Sequence, residues 1–212
     1  MSKNFQANSA EIPLVSLAFN GFTATIPGQA AYSQLTMPSW TLAKISTAAG
    51  TGNFPAVATM RFYTTAQAAT LPAWLQPGCA VKIAAVYSGA DVGGSYTVRA
   101  VDPNGTWFEV VPRAHARLVT AVASPTALDA GSWSATLIAI CQKAMIVVPS
   151  SAGSAVNMSP NAMFNGTAPG QVTPLPNNGT EYELMAPGGA KFDLADLWFQ
   201  AGSQSSVQIR FI

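Results

Sequence analysis

The sequence predicts a mainly β protein: a jelly-roll-like β-sandwich carrying a small inserted β-barrel or meander module. Three observations lead to that fold class. Gly (17) and Pro (15) recur so often that few stretches of a dozen residues lack both, and helix interiors tolerate neither well. Short β-branched and aromatic runs lie between clusters of Gly, Pro, Asn and Ser, the punctuation of strands and turns. Several of those runs alternate with period two. The chain's 212 residues suffice for one large β domain or for a sandwich with a small module set into it.

Taken in order, residues 12–26 read as one or two strands stopped by Pro27-Gly28. Residues 35–44 are ambiguous, with Trp40 and Leu42 alternating against polar neighbours. Residues 56–64 set Val57, Thr59, Arg61 and Tyr63 against Ala58, Met60 and Phe62, a period-two strand. Residues 65–75, alanine-rich with Pro72 near the end, form the best short-helix candidate. Strands follow at 80–86, 95–101 and 106–111, joined by a hairpin loop at 88–94 and the turn Asp102-Pro103-Asn104-Gly105. In that turn Pro sets φ and Asn-Gly accepts positive φ.

Residues 134–148 read as a single strand, with Cys141 inside it as a small apolar residue. Residues 149–180 hold Pro160, Pro169, Pro174 and Pro176 and form either an intersubunit arm or a set of very short strands. Residues 182–185 and 191–200 flank the turn Pro187-Gly188-Gly189. A final strand over 206–212 points Val207, Ile209 and Phe211 to one side, as a strand zipped into a sheet would. The expected domains are a sandwich from 1–65 and 125–212, a small β module at 66–124, and an extended arm or long loop at 149–180 within the sandwich.

Charge is the abnormal feature. Only 9% of residues are Asp, Glu, Lys or Arg, against roughly 25% in an ordinary domain. Between Glu11 and Arg61 the only charge is Lys44, and residues 144–180 carry none. A buried charge costs free energy unless paired, so the cores of protein interfaces are depleted in Lys, Glu and Asp. Faces this neutral are expected to be covered by protein; the plainer reading is a robust β protein with a Ser/Thr-coated surface. The net charge of +1 gives no global basic field, so no nucleic-acid partner is expected. Met1-Ser2-Lys3-Asn4-Phe5 does not open a signal peptide, and no apolar run is long enough to span a membrane. Assembly in a cytoplasm is expected. Cys79 and Cys141 fit that compartment as thiols, their spacing leaving a bonded pair open.

Residues able to carry chemistry are few. A Ser-His-Asp or Cys-His site would have to use His115, the one histidine. If extended, its segment places Arg113, His115 and Arg117 on one face. That stripe either grips a neighbour's carboxylates or a phosphate, or is a solvated strand face. Two cysteines and one histidine do not make a zinc site. Asp193 and Asp196 could join carbonyls around calcium, or one of them could cap a short turn. Trp40, Trp74, Trp133 and Trp198 could form a sugar platform, but read better as core or interface anchors. Neither an enzyme nor any cofactor or metal is expected.

Two pieces resemble modules of tailed-bacteriophage virion proteins. One is Leu75, Pro77-Gly78 and Val81-Lys82-Ile83, followed by Gly94-Ser95-Tyr96-Thr97-Val98, Val101-Asp102 and Gly105-Thr106-Trp107-Phe108-Glu109-Val110. It is similar to small β modules of phage tail and head-associated proteins. The other is Tyr182-Glu183-Leu184, Pro187-Gly188-Gly189 and residues 192–198, closing on Val207-Gln208-Ile209-Arg210-Phe211-Ile212. It resembles the closing hairpin of decoration (cement) and minor structural proteins. The resemblance implies a virion structural role, most directly a capsid decoration protein, and carries no catalytic residue. A tail or baseplate adaptor is the alternative, and a carbohydrate-binding sandwich module a third reading. Expected partners are copies of the chain itself, with a trimer suggested, and virion proteins such as the major capsid protein. Contacts are expected in residues 2–13 and 150–180, through Phe5, Ile12, Met158, Met163 and Phe164, and at Arg113, His115 and Arg117.

Overall fold

A computed structural model of the chain describes residues 20–48, 59–64, 71–72, 75–113, 122–159, 172–186, 188 and 190–212. The fold is mainly β, and strands are numbered in chain order. The described residues fall into two compact units. One draws on Met1–Ser33, Cys141–Phe192 and Leu197–Ile212, the other on Gln34–Ile140 and Asp193–Asp196. No helix among the described residues is long and apolar enough to cross a membrane.

The second unit is a closed six-stranded antiparallel barrel. Its walls are β3 (Ser39–Ala48), β4 (Thr59–Thr64), β5 (Ala80–Ala84), β8 (Gly94–Val101), β9 (Trp107–Pro112) and β11 (Trp133–Ile138). They run in the order β3–β11–β5–β8–β9–β4 and return to β3. Closure depends on the long strand β3. Its start pairs with β11, from Ser39↔Thr136 to Leu42↔Trp133. From Leu42 onward its other edge pairs with β4, ending at Ala48↔Thr59. The register shifts between Leu42 and Lys44, where the partners change over. Such an irregularity bends and twists a strand, as the wall of a small barrel must bend.

Period-two alternation fills the interior. Trp40, Leu42, Ile45, Met60, Phe62, Val81, Ile83, Tyr96, Val98, Phe108, Val110 and Ala135 are all buried in one cluster. Phe108 meets Trp40 edge-on at 5.6 Å and stacks on Phe62 at 6.0 Å. The Tyr96 hydroxyl donates to the Val92 carbonyl at 2.6 Å, so its polar end is satisfied inside the core. Two additions ride on the barrel. The short strand β10 (Thr126–Ala127) lies beside Lys44 and Ile45. A hairpin of β6 (Val86–Tyr87) and β7 (Ala90–Asp91) turns through Ser88 and Gly89, both at positive φ. The Asp129 carboxylate accepts both N–H groups of that turn, each at 2.8 Å.

In the first unit, β1 (Asn20–Ile26), β19 (Ser205–Phe211), β13 (Lys143–Val147) and β16 (Glu181–Met185) form a four-stranded antiparallel sheet in that order. The second sheet of the sandwich places β14 (Val156–Ser159) between β15 (Thr173–Leu175) and β18 (Trp198–Ala201). Phe22, Ala24, Ile26, Ala144, Ile146, Val207, Ile209 and Phe211 are buried on the first sheet, and Val156, Met158, Leu175, Phe199 and Ala201 on the second. β2 (Gln29–Gln34) runs beside β18, where Ser33 Oγ donates to the Phe199 carbonyl at 3.3 Å. The turn before it requires a glycine, because a Cβ at Gly28 would lie 2.6–2.7 Å from the backbone of Ser203 and Gln204. The chain passes between the units after Ser33, at β12 (Ile140–Cys141), and again around β17 (Phe192–Asp193) and the 3-10 turn Leu194–Asp196.

Several elements differ from the sequence reading. The barrel unit is wider than residues 66–124, because three strands cannot close on themselves; β3 and β4 on one side and β11 on the other complete the wall. The single strand expected over 134–148 is three, β11, β12 and β13; the first break, at Ala139, lies inside an apolar run and the second falls at Gln142. Leu71, Pro72 and Leu75 are not helical, and the rest of the helix candidate lies outside the described residues. In the Asp102-to-Gly105 turn only Gly105 takes positive φ, at 70°. The stretch 149–180 contributes the short strands β14 and β15.

Candidate interaction surfaces

The few acids in the main segment of the barrel unit are engaged locally. Among residues 34–140 these are Asp91, Asp102, Glu109 and Asp129. Asp91 Oδ1 accepts the Gly93 N–H at 2.8 Å, and Asp129 caps the Ser88-Gly89 turn. Asp102 accepts the Asn104 N–H at 3.2 Å and the Thr106 N–H at 3.1 Å, and its Oδ2 also accepts the Thr106 hydroxyl. That hydroxyl is the main reason its carboxyl is held below the ordinary carboxylate range; burial opposes, and the two backbone donors add to the lowering. Asp193 Oδ1 accepts the Ala195 N–H at 3.0 Å, the turn-capping alternative raised by the sequence. Among the described residues no group of three or more His, Cys, Asp or Glu could hold a metal ion.

A pH prediction follows from Asp102. Its folded-state pKa lies below its unfolded value, so its contribution is complete above about pH 4 and is lost as pH falls through the folded value. Asp102→Asn is expected to lower Tm at neutral pH, with the gap from the parent narrowing as pH falls below about 4. Thermal unfolding across that range checks it; a gap that stays constant into acid would rule out the linkage.

Glu109 is the one acid on the barrel wall. Phe108 and Val110 point inward, which turns Trp107 and Glu109 outward on β9. Glu109 is nonetheless buried, lying under two arginines. Arg61 Nε on β4 donates to its Oε2 at 2.8 Å, and Arg99 on β8 approaches Oε1 at 3.6 Å. The Arg61 guanidinium also lies over the Trp107 ring, 4.4 Å from its centroid. The hydrogen bond to Glu109 is the main reason the Arg61 pKa is raised, so the guanidinium stays charged and fixed in place.

The sandwich unit has two unlike outer faces. Alternation on β13, β16 and β19 turns Lys143, Glu183, Glu181 and Arg210 outward from the four-stranded sheet. There Lys143 pairs with Glu183 at 2.7 Å and Arg210 with Glu181 at 3.5 Å. The three-stranded sheet and β2 carry no charge at all. Their contacts are made by amides and hydroxyls: Asn157 Nδ2 donates to Gln200 Oε1 at 3.3 Å, and Gln200 Nε2 donates to the Ala30 carbonyl. Asn157, Trp198 and Gln200 are half-buried on this side, whereas Thr173, in register with Met158, faces inward.

Of the sequence-predicted contact residues, Met158 and Arg113 fall among those described. Met158 is 1% exposed, in register with Phe199. It belongs to the core because alternation on β14 turns it inward with Val156, and this corrects its expected place at an interface. Arg113 is exposed just beyond β9, its N–H donating to the Ser95 carbonyl at 2.9 Å. Phe5, Ile12, His115, Arg117, Met163 and Phe164 lie outside the described residues. Trp40 is a barrel-core residue, and Trp133 is half-buried with its indole N–H donating to the Asp129 carbonyl at 2.7 Å. Trp74 also lies outside the described residues. Cys79 and Cys141 are buried thiols not joined by a disulfide, and burial pushes the Cys79 thiol up. The wall around Glu109 and the neutral face were missed, since neither forms a local motif; register alone assembles them.

No protein-family model, curated protein or solved structure was found to match this chain.

Proposed function

We propose that this chain is a non-catalytic structural component of a tailed-phage particle, acting as a capsid decoration (cement) protein. The observation that carries the reading is the charge-free outer side of the sandwich unit, built from β14, β15, β18 and β2. Burying such a face against neighbouring subunits desolvates amides and hydroxyls that already bond to one another, and no ionised group has to be stripped of water. A protein that binds only the assembled shell stabilises that state by mass action. The engagement of the barrel-unit acids in turns and ion pairs agrees with a structural rather than a chemical role.

The purified chain is expected to self-associate in sedimentation experiments and to co-sediment with assembled shells. Asn157→Lys and Gln200→Lys, which place a charge on the neutral face, are expected to weaken both. A chain that stays monomeric at high concentration and leaves shells bare would overturn the proposal.

A further inference from the structure

We infer that the outer wall of the barrel is a docking surface for an acidic protein segment. The charges of residues 34–140, the main segment of this unit, are segregated. The wall carries Lys44 on β3, Arg61 on β4, Lys82 on β5, Arg99 on β8 and Arg113 just past β9, against the single acid Glu109. The other acids of residues 34–140 sit in turns or on the β6–β7 hairpin, each bonded to its own loop or a neighbouring turn. No acidic residue occurs in 49–58, 65–70, 73–74 or 114–121.

Register gathers these cations. Lys82 pairs with Ser95, and the Arg113 N–H donates to the Ser95 carbonyl, so Lys82 and Arg113 flank one position of β8. Two strand spacings put them about 10 Å apart. Further along the same strands Arg61 and Arg99 flank Glu109 in a second row. Lys82, Arg99 and Arg113 are exposed, and among the described residues Lys44, Lys82 and Arg113 enter no ion pair. Arg61 is pinned by Glu109 beneath and Trp107 alongside, so its remaining N–H donors are presented with little rotamer entropy left to lose.

The wall favours separate carboxylates over a phosphate backbone. Glu109 at the centre of the arginine row repels a continuous run of negative charge, whereas a peptide with spaced Asp or Glu can straddle it. The composition agrees, since Arg, Trp and Tyr are the side chains that anchor protein interfaces. Trp107 and Tyr63 lie in this wall, the Tyr63 hydroxyl hydrogen-bonded to Ser46 Oγ at 3.1 Å. Such a ligand does not require the particle: an acidic partner of that spacing would bind the barrel in any setting.

The test uses the full chain and a fluorescein-labelled oligoglutamate peptide, read by anisotropy, with a short DNA duplex as competitor. Saturable binding is expected, several-fold weaker at about 200 mM than at about 50 mM salt. Combined Lys82→Ala, Arg99→Ala and Arg113→Ala should weaken it about tenfold or more. Lys143→Ala with Arg210→Ala, on the sandwich sheet, should leave it unchanged. If the triple variant loses its cooperative unfolding transition, Lys82→Glu alone carries the test, with about threefold weakening expected. Absence of saturable binding, unchanged affinity in these wall variants, or a duplex that binds more tightly than the peptide would each overturn the proposal.

Discussion

Phe108→Ala is expected to destabilise the barrel unit by about 3–5 kcal/mol. Phe108 is fully buried and joins two others of the largest interior side chains, edge-on to Trp40 and stacked on Phe62. Truncation removes the transfer free energy of the ring and leaves a void that a closed wall cannot collapse to fill. Domains of this size are stable by only about 5–15 kcal/mol, so the variant should sit near the edge of folding. Denaturant titration followed by tryptophan fluorescence, which sees Trp40 directly, measures the loss. A cost under about 1 kcal/mol would mean that the six strands do not enclose the ring as described.

Ile209→Ala should have a comparable effect on the other unit, about 2–5 kcal/mol. Ile209 lies on the second strand of the four-stranded sheet, in register with Phe22 on one side and Ile146 on the other, and is wholly buried. No other residue of that sheet joins two buried neighbours of this size in one row. Deleting residues 205–212 should go further, removing the partner of β1 in that sheet and uncovering one edge of β13, which keeps β16 on its other. Amide hydrogen exchange distinguishes the outcomes. The amides of β1, β13 and β19 should exchange faster in Ile209→Ala, while those of β5, β8 and β9 keep their protection. Equal acceleration in both groups would show that the substitution acts on the whole chain rather than on its own sheet.

Period-two strands were legible wherever one face is buried and the other wet. Residues 59–64, 80–84, 94–101 and 205–211 show it, with Met60, Phe62, Val81, Ile83, Tyr96, Val98, Val207 and Ile209 inside as the alternation predicts. The breaks among β11, β12 and β13 were not, because Ala139 sits in an apolar run without Gly or Pro, and a single Gln142 is no turn signal. Closure of the barrel was also hidden. It depends on β3 exchanging partners at Leu42 and Lys44, and pairing between distant segments leaves no local signature. The same holds for the wall: Arg61, Arg99 and Glu109 are separated in sequence by up to 48 positions and meet only through register. Met158 shows the reverse error. In a polar, proline-rich stretch a lone methionine suggested an exposed contact, yet a strand of four residues suffices to turn it inward.

The position of β19 has a consequence for how the chain acquires its shape during synthesis. The barrel is almost wholly continuous in sequence, so its six walls have all been synthesised before β13 is made. β1 precedes those walls in sequence, yet the strand it pairs with follows all of them, at Asn20↔Phe211. The apolar side of β1 must therefore wait for its partner in that sheet until the barrel strands have been made. For a host cell this is an interval of exposure that holdase chaperones or slow translation would guard. Strand exchange between neighbouring nascent chains is the failure to look for when the protein is overproduced.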